Sequence, residues 1–440
     1  MRRRRGSGNM WKRRIPPTSL AVMTKNRTIA MPGDVSDEEF DFIVAGGTSR
    51  SGRHRSGRQP QWSQWNDGDE RRYTLGVEEE VMLLSPSDHA LAESSEAVLG
   101  RLSEDLRTHT FLETHAGVIE LATGIHQDVA GAVAELAALR CLLAGELSEM
   151  GLDAAAAGTY PLTTPTETRV TGAARYRRIA DSMRALARRA PTLALHVHVG
   201  VPDQEDAIRV FNRLRRAVPV LLAMSANSPF LQGRETGFAS ARTVVFQGFP
   251  RTGTARSFVD YADYVDAVDV LIASEALPDP SFLWWDVRLQ PALGTVEVRA
   301  MDAQSTVMES AALIALVQSL ARLHLECAPT AGEVTPEVLA ENRFLAARDG
   351  LEARLIDPVK RELVPVRKLV DALVTTCWPH AVALRCSVEL AWIQTLAAAN
   401  GADRQRAEGA ETSLVDLVPT LSEHFAATSE RIARRPEARS

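Results

Sequence analysis

The chain has 440 residues, of which 45% are hydrophobic and 24% charged, the balance of an ordinary soluble globular protein with one to three domains. Its net charge of −6 is uneven: residues 1–72 hold fifteen Lys/Arg against eight Asp/Glu, a surplus of +7, which leaves −13 on the remainder. An acidic body argues against nucleic-acid binding as the main role, and no run of 18 apolar residues offers a transmembrane helix.

Residues 1–72 read as a disordered basic extension, rich in Gly, Ser and Arg and without hydrophobic periodicity. The apolar patch behind its first basic cluster is too short for a signal-peptide core. Order is expected from Tyr73. Residues 73–84, YTLGVEEEVMLL, alternate as a strand, so Glu78 and Glu80 share a face about 7 Å apart. Two such carboxylates either bind a cation or mark the wet face of an edge strand. A short helix is expected over 94–106, then a strand carrying Val118, Glu120 and Ala122 on one face. Asp128 caps a long Ala/Leu helix that ends at Gly151. Residues 164–172 read as a polar loop and 175–189 as a basic amphipathic helix.

LALHVHVGV is a strand with His196 and His198 on one face, and Asp203 opens a helix to about Ala226. A loop-rich stretch follows, and then WWDVRLQPALGTVEVRAMD, two strands around a Pro-Ala-Leu-Gly turn. Asp286 and Arg288 share a face of the first strand, Glu297 and Arg299 a face of the second. From Ser305 the chain is helical to about residue 430, and residues 431–440 form a disordered tail. No glycine-rich phosphate loop follows a strand, so neither a Rossmann nor a P-loop fold is expected. Cys141, Cys327, Cys377 and Cys386 show no metal or disulfide spacing, which fits a reduced, cytoplasmic chain.

Four strands thus share one oddity: an apolar face opposite a face loaded with ionisable groups. On one antiparallel sheet those faces would converge as a carboxylate–histidine platform for two or three Mg²⁺ or Mn²⁺ ions. Arginines among the carboxylates point to phosphate oxygens, and so to nucleotide phosphoryl chemistry. Each piece has a plainer reading. His196 and His198 could be satisfied core histidines, and Arg288 with Glu297 a cross-strand ion pair.

The segments TLGVEEE, VIELATG, HVHVGVPD, LAMSANSPFLQGRETGFASARTVVFQGFPRTG, WWDVRLQPALGTVEVRAMDAQ, ENRFLAARDG and GADRQR resemble, in order, those of the type 2 glutamate–cysteine ligase family of carboxylate–amine ligases. The resemblance spans about residues 73–410. It implies an α+β fold, a funnel-like antiparallel sheet of the glutamine-synthetase kind with helices outside, in a single catalytic domain over 73–430. It implies ATP and Mg²⁺ or Mn²⁺ as cofactors, glutamate with cysteine or another amine as substrates, and a homo-oligomer.

By position, Glu78, Glu80, Glu120 and Glu297 match the metal carboxylates, and Glu113 another acidic ligand. His198 matches the metal or phosphate histidine, with His196 as the fallback. Glu297 and Arg299 would be catalytic, with Arg299 against the transferred phosphoryl group. Arg242 and Arg288 would clamp phosphate or the substrate carboxylate, and Asn227 would orient substrate or nucleotide. Loops 164–172 and 233–242 would close over the site. Glu79, facing away, is expected to tolerate Gln better than its neighbours.

Overall fold

The computed structural model describes residues 59–164, 168–327 and 334–427. The basic extension up to residue 58, the middle of the 164–172 loop and the tail beyond 427 lie outside the described residues.

In chain order the main elements are β1 (Leu75–Leu84), β2 (Thr110–Leu112), β3 (Val118–Ala122), α1 (Val129–Glu149), β4 (Asp153–Ala155), α2 (Ala174–Met183), β5 (Ala194–Gly200), α3 (Gln204–Ser225), α4 (Ala241–Phe246), α5 (Tyr261–Ala273), β6 (Val287–Gln290), β7 (Thr295–Asp302), α6 (Val307–Glu326), α7 (Pro336–Asp349), α8 (Val366–Ala383), α9 (Gly401–Glu411) and α10 (Leu414–Ala426). Seven strands form one antiparallel sheet in the order β6-β7-β5-β1-β3-β2, with β4 added to the far end of β1. The expected α+β architecture on an antiparallel sheet is borne out.

Local chemistry explains the boundaries. The Asp128 carboxylate accepts from Gly131 N and starts α1, and Asp203 accepts from Glu205 N and Asp206 N to start α3. Thr306 and Glu309 form a reciprocal capping box on α6. Gly294, at φ +65°, closes the turn between β6 and β7 as the Pro-Ala-Leu-Gly sequence predicts. The helix expected over 94–106 is instead two short ones, Ser95–Leu99 and Glu104–Arg107. Gly100 and Ser103 lie between them, and Ser103 donates from its backbone N and Oγ to Glu146. The basic helix stops at Met183 because Arg184 takes φ +55°.

β1 lies between β5 and β3 with all ten residues buried, which excludes an edge strand with a wet face. Val77, Leu195, Val197, Val199, Val296 and Val298 point into a core shared with α3, α6 and α8. The opposite face carries the ionisable groups. Burial of both faces is why β1 reads as a nearly continuous apolar run broken only by its three glutamates.

Glu79 sits on the apolar side, yet it is not idle. It is fully buried and grips Arg140 of α1 through both carboxylate oxygens, with Arg140 Nε at 2.6 Å, and it accepts from Ser310 Oγ at 3.2 Å. Arg140 also donates to the carbonyls of Gln304 and Ser305. The expectation that Glu79 tolerates Gln is therefore revised: Gln would leave a guanidinium uncompensated in the core.

The boundary at residue 72 is also corrected. Residues 59–72 pack on the domain: Trp65 is buried, donates to Val201 O at 3.1 Å and stacks edge-on against Tyr261, while Trp62 donates to Asp269 of α5. The aromatic pair in QWSQW supplies burial that the surrounding polar composition conceals. Among the described residues, no helix is long and apolar enough to cross a membrane.

Glu79→Gln is expected to lower unfolding free energy by about 3–5 kcal/mol, the cost of stranding a buried charge, while Glu79→Gln with Arg140→Met recovers most of it. Trp65→Ala is expected to cost about 3–5 kcal/mol. Urea midpoints at constant slope would check both, and an unchanged midpoint in Trp65→Ala would mean that the 59–72 segment is not part of the folded unit.

Candidate active site

Sheet register builds the site. Directly opposed residues point to the same side, and the pairs Glu78–His196, Glu80–Glu120, Gly76–His198, His198–Glu297 and Glu297–Arg288 run across five adjacent strands. The ionisable face is thus one continuous surface. A β-bulge refines it. From Val298 to Met301, β7 advances three residues while β5 advances two, so one extra residue is accommodated around Arg299 and Ala300. Arg299 N then bonds to Asp286 O at 2.8 Å, and its side chain joins the wall of the cavity.

The cavity measures about 460 Å³ and lies over this face. Glu78, Glu80, Glu113, Glu120, His196, His198, Arg242, Arg288 and Arg299 line it, so the structure brings together nearly all the residues singled out from the sequence. Glu297 lies directly behind them, fully buried. It accepts from Arg288 Nε at 2.8 Å and Nη2 at 3.1 Å, from Gln290 Nε2 at 2.7 Å, and from Arg299.

Three assignments change. Arg288 is the cross-strand partner of Glu297 and directs its Nη1 to the carbonyls of Ser281 and Leu283, so it braces Glu297. Asn227 is fully buried and absent from the cavity wall. Its amide donates to Ala303 O at 2.8 Å and Ser305 Oγ at 3.1 Å, and its carbonyl accepts from Gln405 at 2.8 Å. It joins the end of α3 to the end of β7 and to α9. The third concerns the histidines. Two groups of donor atoms lie within 4.8 Å of one another, Glu78–His196–Glu297 and Glu80–Glu120–His196. His196 belongs to both and His198 to neither. His198 bridges Thr295 Oγ1 at 3.0 Å and Glu78 at 3.3 Å, which makes it a support for the carboxylate.

Charge crowding dominates the electrostatics. Burial pushes Glu80 up to about 8, with the Glu113 charge adding to it and Arg242 and Arg299 opposing. Burial, followed by the charges of Glu78, Glu113 and Glu80, raises Glu120 well above the usual range. Glu78 and Glu297 go the other way. Burial alone would raise both, but His198 and the His196 hydrogen bond hold Glu78 down, and Arg288 and Arg299 hold Glu297 down. Burial lowers His196 to about 4, so its imidazole is neutral and available as a ligand. Oxygen donors with one neutral imidazole are the donor set of a hard divalent cation.

Several wall residues were not anticipated: Arg175 and Tyr176 of α2, His115, Phe246, Phe249 and Trp284. Phe249 and Trp284 meet edge-on at 6.4 Å and give one end of the cavity an aromatic wall. Trp284 and the two phenylalanines sit in two of the motif segments, but nothing in their spacing distinguishes a cavity wall from a core. Of the two expected closing loops, 233–242 holds Gly233 at φ +72° in a short hairpin, and residues 165–167 of the other lie outside the described residues.

The sequence model of the glutamate-cysteine ligase family 2 matches residues 74–410. A Rubrobacter xylanophilus protein named "Putative glutamate--cysteine ligase 2-1" is 38% identical over 355 residues, 80% of this chain and 94% of that one. A Nocardia farcinica protein of the same name is 37% identical over 374 residues, 82% and 95% of the two chains. Among solved structures, a glutamate–cysteine ligase from Francisella tularensis in complex with AMP superposes with a TM-score of 0.58 at 11% identity, covering 82% of this chain and 91% of its own. A bifunctional glutathione synthetase from Pasteurella multocida also gives 0.58, at 15% identity over 82% of this chain and 53% of its own. At such identities these two likenesses establish the fold.

The raised Glu80 carries a pH signature. Its folded value lies above its unfolded one, so the protonated form stabilises the fold at low pH, and that contribution is lost as pH rises from about 4.5 towards about 8. Below about 6.5 the depressed His196 works in the opposite direction. Between about pH 6.5 and 8, chelator-treated protein is therefore expected to lose on the order of 2 kcal/mol. Mn²⁺ should stabilise it more at pH 8 than at pH 6.5, and Glu80→Gln should reduce the metal-free slope, to which the raised Glu120 and His198 also contribute. Thermal melts with EDTA or Mn²⁺ would measure this, and a slope unchanged in Glu80→Gln would remove Glu80 as its origin.

Proposed function

This chain belongs to the glutamate-cysteine ligase family 2, and from that premise we propose that it is an ATP-dependent carboxylate–amine ligase whose acid and amine are L-glutamate and L-cysteine. The observation that carries the reading is the joint presence, on one buried sheet face, of the donor groups Glu78–His196–Glu297 and Glu80–Glu120–His196 with Arg299 and Arg242 beside them. Carboxylates alone would suit a metal-dependent hydrolase. Arginines beside them suit the oxygens of a phosphoryl group in transfer.

In this reading an oxygen of the acid's carboxylate attacks the γ-phosphorus of ATP, ADP leaves, and an acyl phosphate forms. The amine nitrogen then bonds to the acyl carbon, the carbon–oxygen bond to phosphate breaks, and phosphate departs with the proton the nitrogen gives up. Mg²⁺ or Mn²⁺ held by the two donor groups would neutralise phosphate oxygens and act as a Lewis acid.

The chain's own residues have separable tasks. Arg299, on the same strand face as Glu297 and held by it, presents a fixed positive charge at low reorganisation cost. Arg242 is buried, anchored on the carbonyls of Arg299 and Ala300, and lends a second positive charge beside Glu80. His198 and Arg288 keep Glu78 and Glu297 ionised and oriented, as carboxylates that ligate a metal require. Phe246, Phe249 and Trp284 form an apolar end that limits water around a hydrolysable acyl phosphate. All four cysteines are unpaired, which agrees with a reducing, cytoplasmic setting.

ADP release is expected to require acid, amine and divalent cation together. Arg299→Ala should lower turnover by roughly 100- to 1,000-fold with little change in KM for ATP, the pattern of a charge used mainly in the transition state. Glu297→Gln is a poor probe of chemistry, since it would also release the two guanidinium groups that Glu297 neutralises. A coupled ADP assay over amino acids and amines decides the matter. Product formed without ADP, or near-wild-type turnover in Arg299→Ala, would sink this mechanism.

A further inference from the structure

Four arginines line the cavity, and three of them are already engaged. Arg288 and Arg299 are bound to Glu297. Arg242 is tied to two backbone carbonyls and lies 3.9 Å from Asp302. Arg175, in the first turn of α2, differs. Among the described residues its guanidinium has no carboxylate within 4.0 Å, and its hydrogen bond is from Nη1 to Ser281 Oγ at 2.7 Å. It lies over the ring of Phe282, 5.1 Å from the centroid, and forms part of the cavity wall. A planar fork in this state matches a carboxylate bidentately.

Its place in the fold also differs: Arg175 stands on α2, outside the sheet, whereas Arg299 stands on β7. Arg299 and Arg242 already sit beside the carboxylate face, so the anion assigned to Arg175 is a group other than the one in transfer. Tyr176, the next residue, is tied through its hydroxyl to Leu112 O and steadies the start of the helix.

We propose that Arg175 holds a second carboxylate of the acid substrate, so that the acid activated here carries two carboxylates, one turned to Arg299 and the other to Arg175. This assignment rests on the ligase reading and adds to it the residue that selects the acid. A monocarboxylate would leave Arg175 facing the cavity without a counter-charge. Losing a charged hydrogen-bonded contact of this kind is expected to change affinity by roughly 10- to 100-fold.

The test compares two acids on two proteins, using the full chain with Mg²⁺. L-glutamate and 4-aminobutanoate, which lacks only the second carboxylate, are assayed by ADP release on wild type and Arg175→Met. Glutarate binding, with a non-hydrolysable ATP analogue present, is measured by calorimetry on the same proteins. Wild type should prefer glutamate by roughly 10- to 100-fold in acid KM. In Arg175→Met that preference should vanish, with KM for ATP unchanged, and Arg175→Lys should restore part of it. Glutarate binding should weaken in parallel.

A preference retained in Arg175→Met overturns the assignment, as does a rise in KM for ATP in place of the acid. If the change falls instead on Mg²⁺ dependence, Arg175 serves only to offset Glu113 and the assignment fails. Absence of ADP release from wild type with every acid and amine would defeat the ligase reading, while glutarate binding lost in Arg175→Met would still uphold Arg175 as a carboxylate anchor. Absence of release together with unaltered glutarate binding would defeat both.

Discussion

Glu297 is the constraint on which the site depends. A carboxylate with no solvent exposure carries a large desolvation penalty, and here two guanidinium groups and an amide offset it. Because Glu297 holds Arg288 and Arg299 together, it fixes a charged hub beside the rest of the face. Its charge and that of Glu78 hold His198 protonated above its ordinary range, and His198 in turn keeps Glu78 ionised. At Glu80 and Glu120 burial and the neighbouring carboxylates outweigh the arginines, and both are raised and hold their protons instead. The face is therefore divided into an ionised half and a protonated half. A divalent cation would level that division, and metal affinity should be coupled to proton release for this reason.

Backbone geometry does the placing. Antiparallel register alone lines up Arg288, Glu297, His198, Gly76 and, one pair along, His196 and Glu78. One irregularity, the bulge between Val298 and Met301, returns Met301 to the core face opposite Leu195 after Arg299 has taken the cavity side. Rigidity comes from behind the face. Asp302, at the end of the same strand, accepts from Asn227 N, Ser228 Oγ and Ser240 Oγ, and Gln405 of α9 closes the network through Asn227. A methyl group at Gly401 would fall 2.0 Å from Asn227 Oδ1, so the GADRQR segment packs tightly on Asn227 and holds the scaffold in place. Several of the most distinctive motifs thus serve the frame, and only indirectly the reaction.

Two buried arginine–glutamate systems lie on opposite faces of β1 and its neighbours, and they do different work. Glu79–Arg140 is fully enclosed and satisfied by backbone carbonyls and Ser310, so it locks α1 onto the sheet. The Glu297 system borders a cavity and keeps donors and acceptors turned towards it. Equal burial with unequal access to the cavity separates a structural charge from a functional one, and sequence carries no trace of that access.

What the sequence determined by itself was the periodicity and its chemistry. Alternation placed Glu78, Glu80, Glu120, His196, His198, Glu297 and Arg299 on polar faces of strands, and the caps at Asp128 and Asp203 set two long helices, because these are properties of neighbours along the chain. The antiparallel α+β frame and the gathering of those polar faces were legible to that extent. Tertiary structure decided the rest, because it depends on partners distant in sequence. Glu79 is a core ion pair only because Arg140 lies 61 residues away on the covering helix. Asn227 is a joint only because Gln405 lies 178 residues further on. Trp62 and Trp65 belong to the fold because α5 comes back to meet them. Arg175, on a helix that reads as merely basic, reaches the cavity because α2 packs over the end of β2. Local pattern settles which face a side chain takes, and only packing settles what that face meets.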